Sequence, residues 1–332
     1  MIRLSQVKVP LQHRDDDIRK KCAKLIRIAP ADIEAMRIVK KSIDARKKQE
    51  ISYVYTVDVK VKQSETKVIA HAKGQSATIV VDHPYRFPEK GSEPLAKRPV
   101  VIGLGPAGLF AAYALARHGY SPLVFERGKC VEERTKDVLR FWESGVLDPG
   151  SNVQFGEGGA GTFSDGKLNT LVKDPLGRNR RVLELFVEAG APSEILYDGK
   201  PHIGTDVLVS VVANLRKEII RLGGEIHFES EVTDFETADG KIVSVTVNGV
   251  DRYPADAVIF AIGHSARDTF ALLEQKKLVM EAKAFAVGFR VEHPQSMINH
   301  AQYGDADMRY LPTAPYKLTA QTPVGRGVYS FC

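Results

Sequence analysis

The stretch Val100-Val-Ile-Gly-Leu-Gly-Pro-Ala-Gly108 decides the fold of this chain of 332 residues. Its glycines, Gly103, Gly105 and Gly108, have the spacing G-x-G-x-x-G, after a short apolar run and before a predicted helix from Ala107 to about His118. The first glycine permits a tight turn, the second lets the backbone approach a pyrophosphate, and the third lets helix and strand pack closely. The N–H groups at the start of such a helix attract phosphate. The stretch therefore predicts the dinucleotide-binding turn of a Rossmann-like fold.

A second predicted strand, Pro122-Leu-Val-Phe-Glu126, ends in an acid 23 residues after Gly103. At this place an acidic side chain accepts hydrogen bonds from ribose hydroxyls and disfavours a 2′-phosphate. Glu126 therefore predicts FAD or NAD as the ligand, and not NADP.

A glycine-dense segment, Phe155 to Asn169, follows, with five glycines in residues 156–166. Glycine allows a close approach of the backbone and presents N–H groups to an anion, and Lys167 adds a positive charge nearby. We expect this segment to line the phosphate side of the cofactor.

Several stretches resemble known flavoproteins. Gly105-Pro-Ala-Gly108 followed by Glu126-Arg127-Gly128 resembles the FAD site of glutathione-reductase-type flavoproteins, and Ala255–His264 resembles the Ala-Thr-Gly motif of FAD-binding folds, with Ile262 where Thr is usual. Residues 151–170 are similar to the signature of a bacterial family of uncharacterised FAD-dependent dehydrogenases. Three shorter stretches support that resemblance, which covers the whole chain: 42–47, 286–295 and 326–332. The resemblance implies a FAD-dependent oxidoreductase of unknown substrate.

The motifs and the resemblance together predict a set of cofactor-binding residues. In such flavoproteins the main chain at Val232 would lie against the adenine. The predicted set is Gly103, Gly105, Pro106, Ala107, Gly108, Glu126, Arg127, Gly159, Ala160, Gly161, Thr162, Gly166, Lys167, Leu168, Val232, Ala261, Ile262 and Gly263.

Catalytic residues are not assigned by any motif, and three side chains are candidates. Lys167 could stabilise reduced flavin, with a phosphate counter-ion or a surface lysine as the alternatives. His264 follows the Gly263 turn, with a structural role as the alternative. Cys332 would enter a glycine-rich turn in the resembled family, with an inert thiol as the alternative.

The predicted fold class is α/β, in three parts. A small basic α+β domain (1–90) and a linker (91–98) precede a Rossmann-like FAD-binding domain (99–282), in which a parallel sheet is joined by a β-meander. Residues 283–332 begin a mixed α+β substrate domain.

Finer expectations concern individual segments. Residues 31–36 are predicted to form a short helix, and Trp142 is expected in the core. The closing Gly-Asp strand of such folds is missing from residues 283–332, because Gly304-Asp305 does not follow a buried strand. We therefore expect a C-terminally incomplete chain, with an unusual complete protein as the alternative.

Composition excludes several other classes of protein. Hydrophobic residues make up 43% and charged residues 27%, which is typical of a globular protein. No run of 18 uncharged apolar residues predicts a membrane helix, and the N-terminus has no apolar signal region. Three dispersed cysteines support neither a disulfide framework nor a metal site, so a reducing cytoplasm is expected.

The basic charge is concentrated at one end. Residues 1–98 carry 22 basic and 12 acidic side chains, within an overall net charge of +6. An RNA-associated flavoprotein that uses residues 1–90 is therefore one alternative function, and a solvated basic face explains the same charge. A non-catalytic fragment is another alternative. Because there is one G-x-G-x-x-G motif, an NAD(P)H electron donor would have to bind without a Rossmann half of its own.

Overall fold

The computed structural model describes residues 1–72, 76–164, 166–168, 170 and 172–331. The chain divides into two compact units, which are described separately. The first unit comprises Met1–His83, Leu196–Gly199 and Ala284–Cys332, and the second comprises Pro84–Ile195 and Lys200–Lys283. The predicted linker 91–98 thus falls in the second unit, and residues 284–332 group with the N-terminal residues.

The helices and strands are numbered in chain order. The strands are β1 (Ile2–Pro10), β2 (Ile33–Asp44), β3 (Ser52–Val61), β4 (Ala77–Ile79), β5 (Val100–Ile102), β6 (Leu123–Phe125), β7 (Glu225–His227), β8 (Val232–Ala238), β9 (Lys241–Val247), β10 (Asp251–Pro254), β11 (Val258–Phe260), β12 (Lys317–Gln321) and β13 (Gly327–Phe331). The α-helices are α1 (Asp15–Ile26), α2 (Glu65–Ala70), α3 (Pro106–Arg117), α4 (Val131–Ser144), α5 (Arg178–Glu188), α6 (Thr205–Arg221), α7 (Arg267–Gln275) and α8 (Gln295–Tyr303). Among the described residues, no helix has both the length and the apolar character needed to cross a membrane.

The first unit is built on an antiparallel sheet with the strand order β2-β3-β1-β4. With α1 between β1 and β2, and α2 between β3 and β4, this is a ferredoxin-like βαββαβ arrangement. One face of the sheet buries Leu4, Val57 and Val59 together with Ile18 and Cys22 of α1. This cluster forms the main core of the unit.

The helix predicted at residues 31–36 is wrong. A single 3-10 turn, Pro30–Asp32, leads directly into β2, which pairs with β3 from Ile33 to Asp44. Residues 33–44 form a strand because β3, itself rich in β-branched and aromatic residues, offers a partner along this length.

The C-terminal part of the first unit has a small core of its own. Ile51 packs with Tyr303, Leu311 and Ala314, and the Tyr53 hydroxyl donates to the Tyr310 carbonyl oxygen at 2.7 Å. The strands β12 and β13 pair only with each other in the described chain.

The second unit contains a parallel sheet with the strand order β11-β5-β6-β7. Val101 and Val124 face a helical layer that includes α3 and α6, whereas Ile102 and Phe125 face the antiparallel meander β8-β9-β10. Because both faces are covered, β5, β6 and β11 are continuous apolar runs in the sequence. The predicted Rossmann-like fold with a parallel sheet is confirmed.

Trp142 was expected in the core, and this is wrong. Its side chain is 58% exposed, because α4 turns its opposite face, with Val131, Arg134 and Val138, into the protein. The buried face of α4 thus combines two valines with charged side chains, and it is not a continuous apolar stripe.

Candidate functional site

A cavity of about 540 Å³ lies at the carboxyl ends of three parallel strands. Ile102, Phe125 and Phe260, the last residues of β5, β6 and β11, all line it. The chain leaves β5 through α3 toward β6, whereas β11 pairs with β5 on the other side. The cavity therefore lies at a topological switch point of the sheet, where open α/β folds bind their ligands.

The first glycine turn brings the backbone to the edge of this cavity. Gly103 has φ +92°, and a Cβ there would lie 2.6 Å from the Ala261 carbonyl oxygen. A Cβ on Gly108 would overlap the carbonyl oxygen of Gly103, so Gly108 serves packing, as predicted. Gly105 is the N-cap of α3 and is followed by Pro106. The amides of the first turn of α3 have no acceptor within the helix and are available to an anion.

The second glycine segment packs directly on the first. Gly159 has φ +68°, and a Cβ there would lie 2.7 Å from Pro106 Cδ and 3.4 Å from Gly105 Cα. Ala160, the next residue, also lines the cavity. Two segments separated by about fifty residues, each predicted to approach phosphate, thus meet on one wall.

A buried arginine on α4 organises the second segment. The side chain of Arg134 is fully buried, and its guanidinium donates to the carbonyl oxygens of Asn152 (2.8 Å), Val153 (2.9 Å), Glu157 (2.5 Å) and Gly159 (2.9 Å). Burial lowers the pKa of Arg134 to about 10, so the group remains cationic at neutral pH. With these carbonyls turned toward Arg134, the path of the loop past Pro106 is fixed.

Glu157 links the same loop to two helices. Its buried carboxylate accepts from the Val131 amide at 2.7 Å and from Arg216 Nη1 at 3.0 Å, both on Oε2. Arg216 also pairs with Glu132. Burial raises the pKa of Glu157 to about 7. The loop is therefore attached to the start of α4 and to α6.

Glu126 lies at the predicted place, at the end of β6, and is almost fully buried. Its carboxylate accepts from the amides of Leu104 (2.6 Å), Gly128 (2.9 Å) and Gly156 (3.0 Å). A carboxylate has about four acceptor positions, so these bonds leave about one for a ligand. Glu126 thus joins the two glycine segments as well as facing the cavity.

Arg127 lies on the cavity wall within a cluster of charges. It pairs with Asp268 at 2.9 Å and Glu231 at 3.3 Å, and its guanidinium carbon lies 4.7 Å from the centre of the Phe155 ring. The cluster ties the end of β6 to the start of α7.

The structure brings most of the predicted residues to the cavity. Those that line it are Gly103, Gly105, Pro106, Ala107, Glu126, Arg127, Gly159, Ala160, Val232, Ala261, Ile262, Gly263 and His264. Those that lie away from the lining are Gly108, Gly161, Thr162, Gly166, Lys167 and Leu168. Their binding roles, including those on the wall, stay predictions.

The three catalytic candidates have different positions. His264 is exposed on the cavity wall, with Nε2 3.4 Å from the Ser265 hydroxyl. Lys167 is joined to His202 by a β-bridge. Cys332 lies outside the described residues.

Several residues that build the site were not predicted from the sequence. Lining residues not predicted include Gln154, Phe155, Gly156, Ser230, Thr269, Phe270 and Leu273. Gly156 and Phe155 lay within the glycine-dense segment and could have been chosen. Nothing in the sequence distinguishes Arg134 from the other basic residues of α4, so its burial could not be predicted.

A second cavity, of about 420 Å³, lies in the first unit between β1 and α1. Four lysines line it: Lys8, Lys20, Lys21 and Lys24. Two of these are already paired, Lys8 with Asp44 at 2.6 Å and Lys20 with Asp16 at 2.5 Å. The predicted basic face is therefore partly neutralised by its own carboxylates, and RNA binding stays a prediction.

Comparisons with known proteins agree with this geometry. Three protein-family models match: a domain of unknown function at residues 1–60, an NAD(P)-binding Rossmann-like domain at residues 101–134, and a FAD-dependent protein, C-terminal domain-like, at residues 284–332. The family models support a Rossmann-type nucleotide-binding domain and FAD as the cofactor. The glutathione-reductase-type subtype stays a prediction.

Individual proteins are similar to this chain to different degrees. An uncharacterised protein of Clostridium beijerinckii is 45% identical over 333 residues, which cover 100% of this chain and 62% of the relative. A FAD-dependent monooxygenase of Hypoxylon pulicicidum is 28% identical over 233 residues, 64% of this chain and 46% of that protein. The crystal structure of THI4 from Thermovibrio ammonificans has a TM-score of 0.37 at 18% identity, over 55% of this chain and 64% of that one. The chain thus spans less than two thirds of these proteins.

Proposed function

We propose that this chain binds FAD in the switch-point cavity and acts in a FAD-dependent oxidoreductase. The observation that carries the proposal is the contact between Gly105 and Gly159 beside the first turn of α3. Two backbones without side chains, next to amides that have no helical acceptor, allow a pyrophosphate to approach closely. The residues present therefore fit the diphosphate of a dinucleotide.

The adenosine end of the cofactor is assigned to the β6 side of the cavity. The Glu126 carboxylate is held by three amides and would accept from a ribose hydroxyl with its remaining position. An acid at this position repels a 2′-phosphate, which favours FAD over NADP. Val232 and Arg127 lie on the same cavity wall and would contact the adenosine half.

FAD would supply two-electron redox chemistry, while the protein binds and orients it. The amides of α3 and the Gly159 segment would hold the diphosphate, and the buried charge of Arg134 behind that segment favours an anion there. His264 is the exposed wall residue that follows the Gly263 turn. Catalytic roles for His264, Lys167 and Cys332 are proposals that rest on the sequence.

The oxidoreductase class is supported by the match to the FAD-dependent family model and by the relative named as a FAD-dependent monooxygenase. NAD(P)H is retained as a candidate donor.

The proposal is tested by the visible spectrum of the purified chain, with the released cofactor identified. We expect the absorption bands of oxidised flavin and about one FAD per chain. The matched variants are Gly105→Ala and Gly91→Ala. A Cβ on Gly105 meets only Gly159 Cα, at 3.8 Å, and one on Gly91 meets nothing within 4 Å, so both variants should fold.

Gly105→Ala places a methyl group where the diphosphate would lie, and we expect at least a tenfold weaker affinity for FAD. Its cost in folding free energy should stay at about 1 kcal/mol, the usual effect of alanine at an N-cap. Gly91→Ala should match the parent chain in both respects. Equal FAD affinity in all three proteins would contradict the proposed site, and a chain that binds NAD or NADP instead of FAD would contradict the cofactor.

A further inference from the structure

The cavity between β1 and α1 is lined by basic side chains from two elements. Helix α1 contributes Asp17, Lys20, Lys21 and Lys24, which follow the spacing i, i+3, i+4 and i+7, and β1 contributes Lys8. Residues at this spacing lie on one face of a helix. The opposite face of α1 is buried in the core of the first unit. The core therefore holds the lysine-bearing face of α1 toward the cavity.

The carboxylates near the cavity do not balance these lysines. Lys21 and Lys24 are exposed and form no ion pair with a described residue. Asp44, the partner of Lys8, also pairs with Arg46 at 2.7 Å. One carboxylate thus serves two cations, and the cavity keeps an excess of positive charge.

Two further carboxylates lie beside the cavity. Asp16 pairs with Lys20, but these side chains are 62% and 60% exposed, and water and salt screen an exposed pair. The Asp17 carboxylate accepts from the Arg14 amide at 2.9 Å, at the start of α1. Lys20 can therefore exchange its exposed partner for an anionic group of a ligand.

His13 forms a wall of the cavity that is fixed at both ring nitrogens. Nδ1 lies 2.7 Å from the Pro10 carbonyl oxygen, and Nε2 lies 2.9 Å from the Tyr55 hydroxyl. Because a carbonyl oxygen only accepts, Nδ1 donates, and the hydroxyl donates to Nε2 of the neutral ring. Tyr55 is itself buried in β3, opposite Val7 of β1. This wall is preformed, which lowers the entropic cost of binding a ligand.

We propose that this cavity binds a small ligand that carries several phosphate groups, an oligophosphate or a nucleoside triphosphate. Ammonium groups bind phosphate oxygens as point charges, and lysines from two elements suit a chain of phosphates. The volume of about 420 Å³ is in the range of small-molecule sites. All the lining residues belong to the first unit, so the proposal does not depend on FAD binding.

The lining favours such a ligand over RNA. Proteins bind single-stranded RNA by stacking its bases on exposed aromatic side chains. Among the described residues that line this cavity, His13 alone carries an aromatic ring, and its two nitrogens are already engaged. The cavity therefore offers charge for phosphates without a surface on which bases stack.

The test is a calorimetric titration of the full 332-residue chain with inorganic tripolyphosphate and with ATP, at low ionic strength. We expect one saturable site per chain, with an affinity that falls as salt screens the charges. Equal affinity for the two probes assigns recognition to the phosphate chain, and tighter binding of ATP adds its nucleoside; both results support the proposal. A titration with saturating FAD present should give the same affinity.

The double variant Lys21→Gln, Lys24→Gln removes the two unpaired charges and should bind both probes at least tenfold more weakly. Glutamine is about as good a helix former as lysine, so the variant should fold as the parent chain does. The control is Lys62→Gln, Lys67→Gln, which loses the same charge at exposed positions of the first unit outside this cavity. It should bind as tightly as the parent chain.

The proposal is overturned if neither probe binds at low salt. It is also overturned if the two double variants bind equally weakly, since that result would show general charge attraction. Displacement of the probes by FAD would place them in the switch-point cavity instead. An RNA oligonucleotide that binds where tripolyphosphate and ATP do not would make this basic face a nucleic-acid surface and would likewise contradict the proposal.

Discussion

Glu157 is a buried carboxylate with an incomplete set of partners. Oε2 accepts two hydrogen bonds, from Val131 and Arg216, whereas Oε1 has no partner among the described residues. Burial outweighs these bonds and raises the pKa to about 7, from an ordinary value of 4.5. The folded protein therefore binds a proton at Glu157 more tightly than the unfolded chain does.

This shift gives a defined pH dependence of stability. Between pH 4.5 and 7 the folded state holds the Glu157 proton and the unfolded state has lost it, so the free energy of unfolding should fall as pH rises. The free energy of unfolding should fall by about 3 kcal/mol across this window, and the titration of Glu157 should change it no further above pH 7. Glu157→Gln resembles the protonated form and should remove this fall. Urea unfolding at pH 5, 6, 7 and 8 measures the effect.

Glu132→Gln is the matched control, since Glu132 pairs with the same Arg216 but is 48% exposed in its side chain. Burial acts to raise its pKa, but its hydrogen bonds and the attraction of Arg216 together lower it, so its own contribution is lost only as pH falls through the acidic range. This variant should keep most of the fall between pH 5 and 7. If Glu157→Gln shows the same pH profile as the parent chain, Glu157 does not titrate in this range.

At the scale of elements, helix α4 holds the second glycine segment through Arg134. Arg134→Met would remove the guanidinium donor from four carbonyl oxygens, three of them buried, although the Gly159 oxygen keeps the Thr162 amide at 3.3 Å. A buried acceptor left without a donor typically costs about 1–3 kcal/mol. We expect a loss of about 3 kcal/mol or more in the free energy of unfolding, together with weaker FAD binding. Arg134→Lys keeps the charge but loses the planar fork, so its stability should be intermediate.

Arg140→Met tests whether any basic residue of α4 has this effect. Arg140 is 54% exposed and bonds Asp137 at 3.1 Å, so its loss should cost less than about 1 kcal/mol. Thermal unfolding and FAD titration of the three variants measure both effects. Equal losses for Arg134→Met and Arg140→Met would contradict an organising role for Arg134.

At this scale, the sequence predicts features that depend on residues close together in the chain and does not predict contacts between distant segments. Gly103, Gly108 and Glu126 were identifiable because a turn, a helix start and a strand end act within about 25 residues. The contact of Gly159 with Pro106 was not identifiable, although each segment was separately predicted to approach phosphate. Arg134 was not predicted and Trp142 was wrongly expected in the core, because α4 buries a charge and exposes an indole, the reverse of ordinary hydrophobic patterning.

Residues 33–44 show the same limit at the level of a strand. A short helix was predicted at residues 31–36, and pairing with β3 instead makes residues 33–44 a strand. The parallel sheet expected in the second unit is confirmed, and its strands β5, β6 and β11 are apolar enough to be recognised alone. Residues 284–291 show the converse case. Their apolar side chains alternate along the sequence as in a strand, yet the segment pairs with no strand in the described chain.

At the scale of the whole molecule, the two units have separate hydrophobic clusters. Val101, Leu109 and Val211 belong to a cluster of the second unit, whereas Leu4 and Val57 belong to one of the first. The proposed FAD site is built entirely from residues of the second unit. Ligand binding stabilises the structure that forms the site, by an amount set by ligand concentration and affinity.

We therefore expect FAD to stabilise the two units unequally. At a FAD concentration about 100 times its Kd, the expected stabilisation is about 2.7 kcal/mol, which corresponds to about a hundredfold slower exchange of amides that open with the site. Hydrogen exchange measured by mass spectrometry should show this slowing in β5, α3 and residues 156–161, with β1 and β3 unchanged. Gly105→Ala should lose the slowing at the same FAD concentration. Equal slowing in β1 and β3 would show that the units open together, and slowing confined to β1 and β3 would place the ligand outside the switch-point cavity.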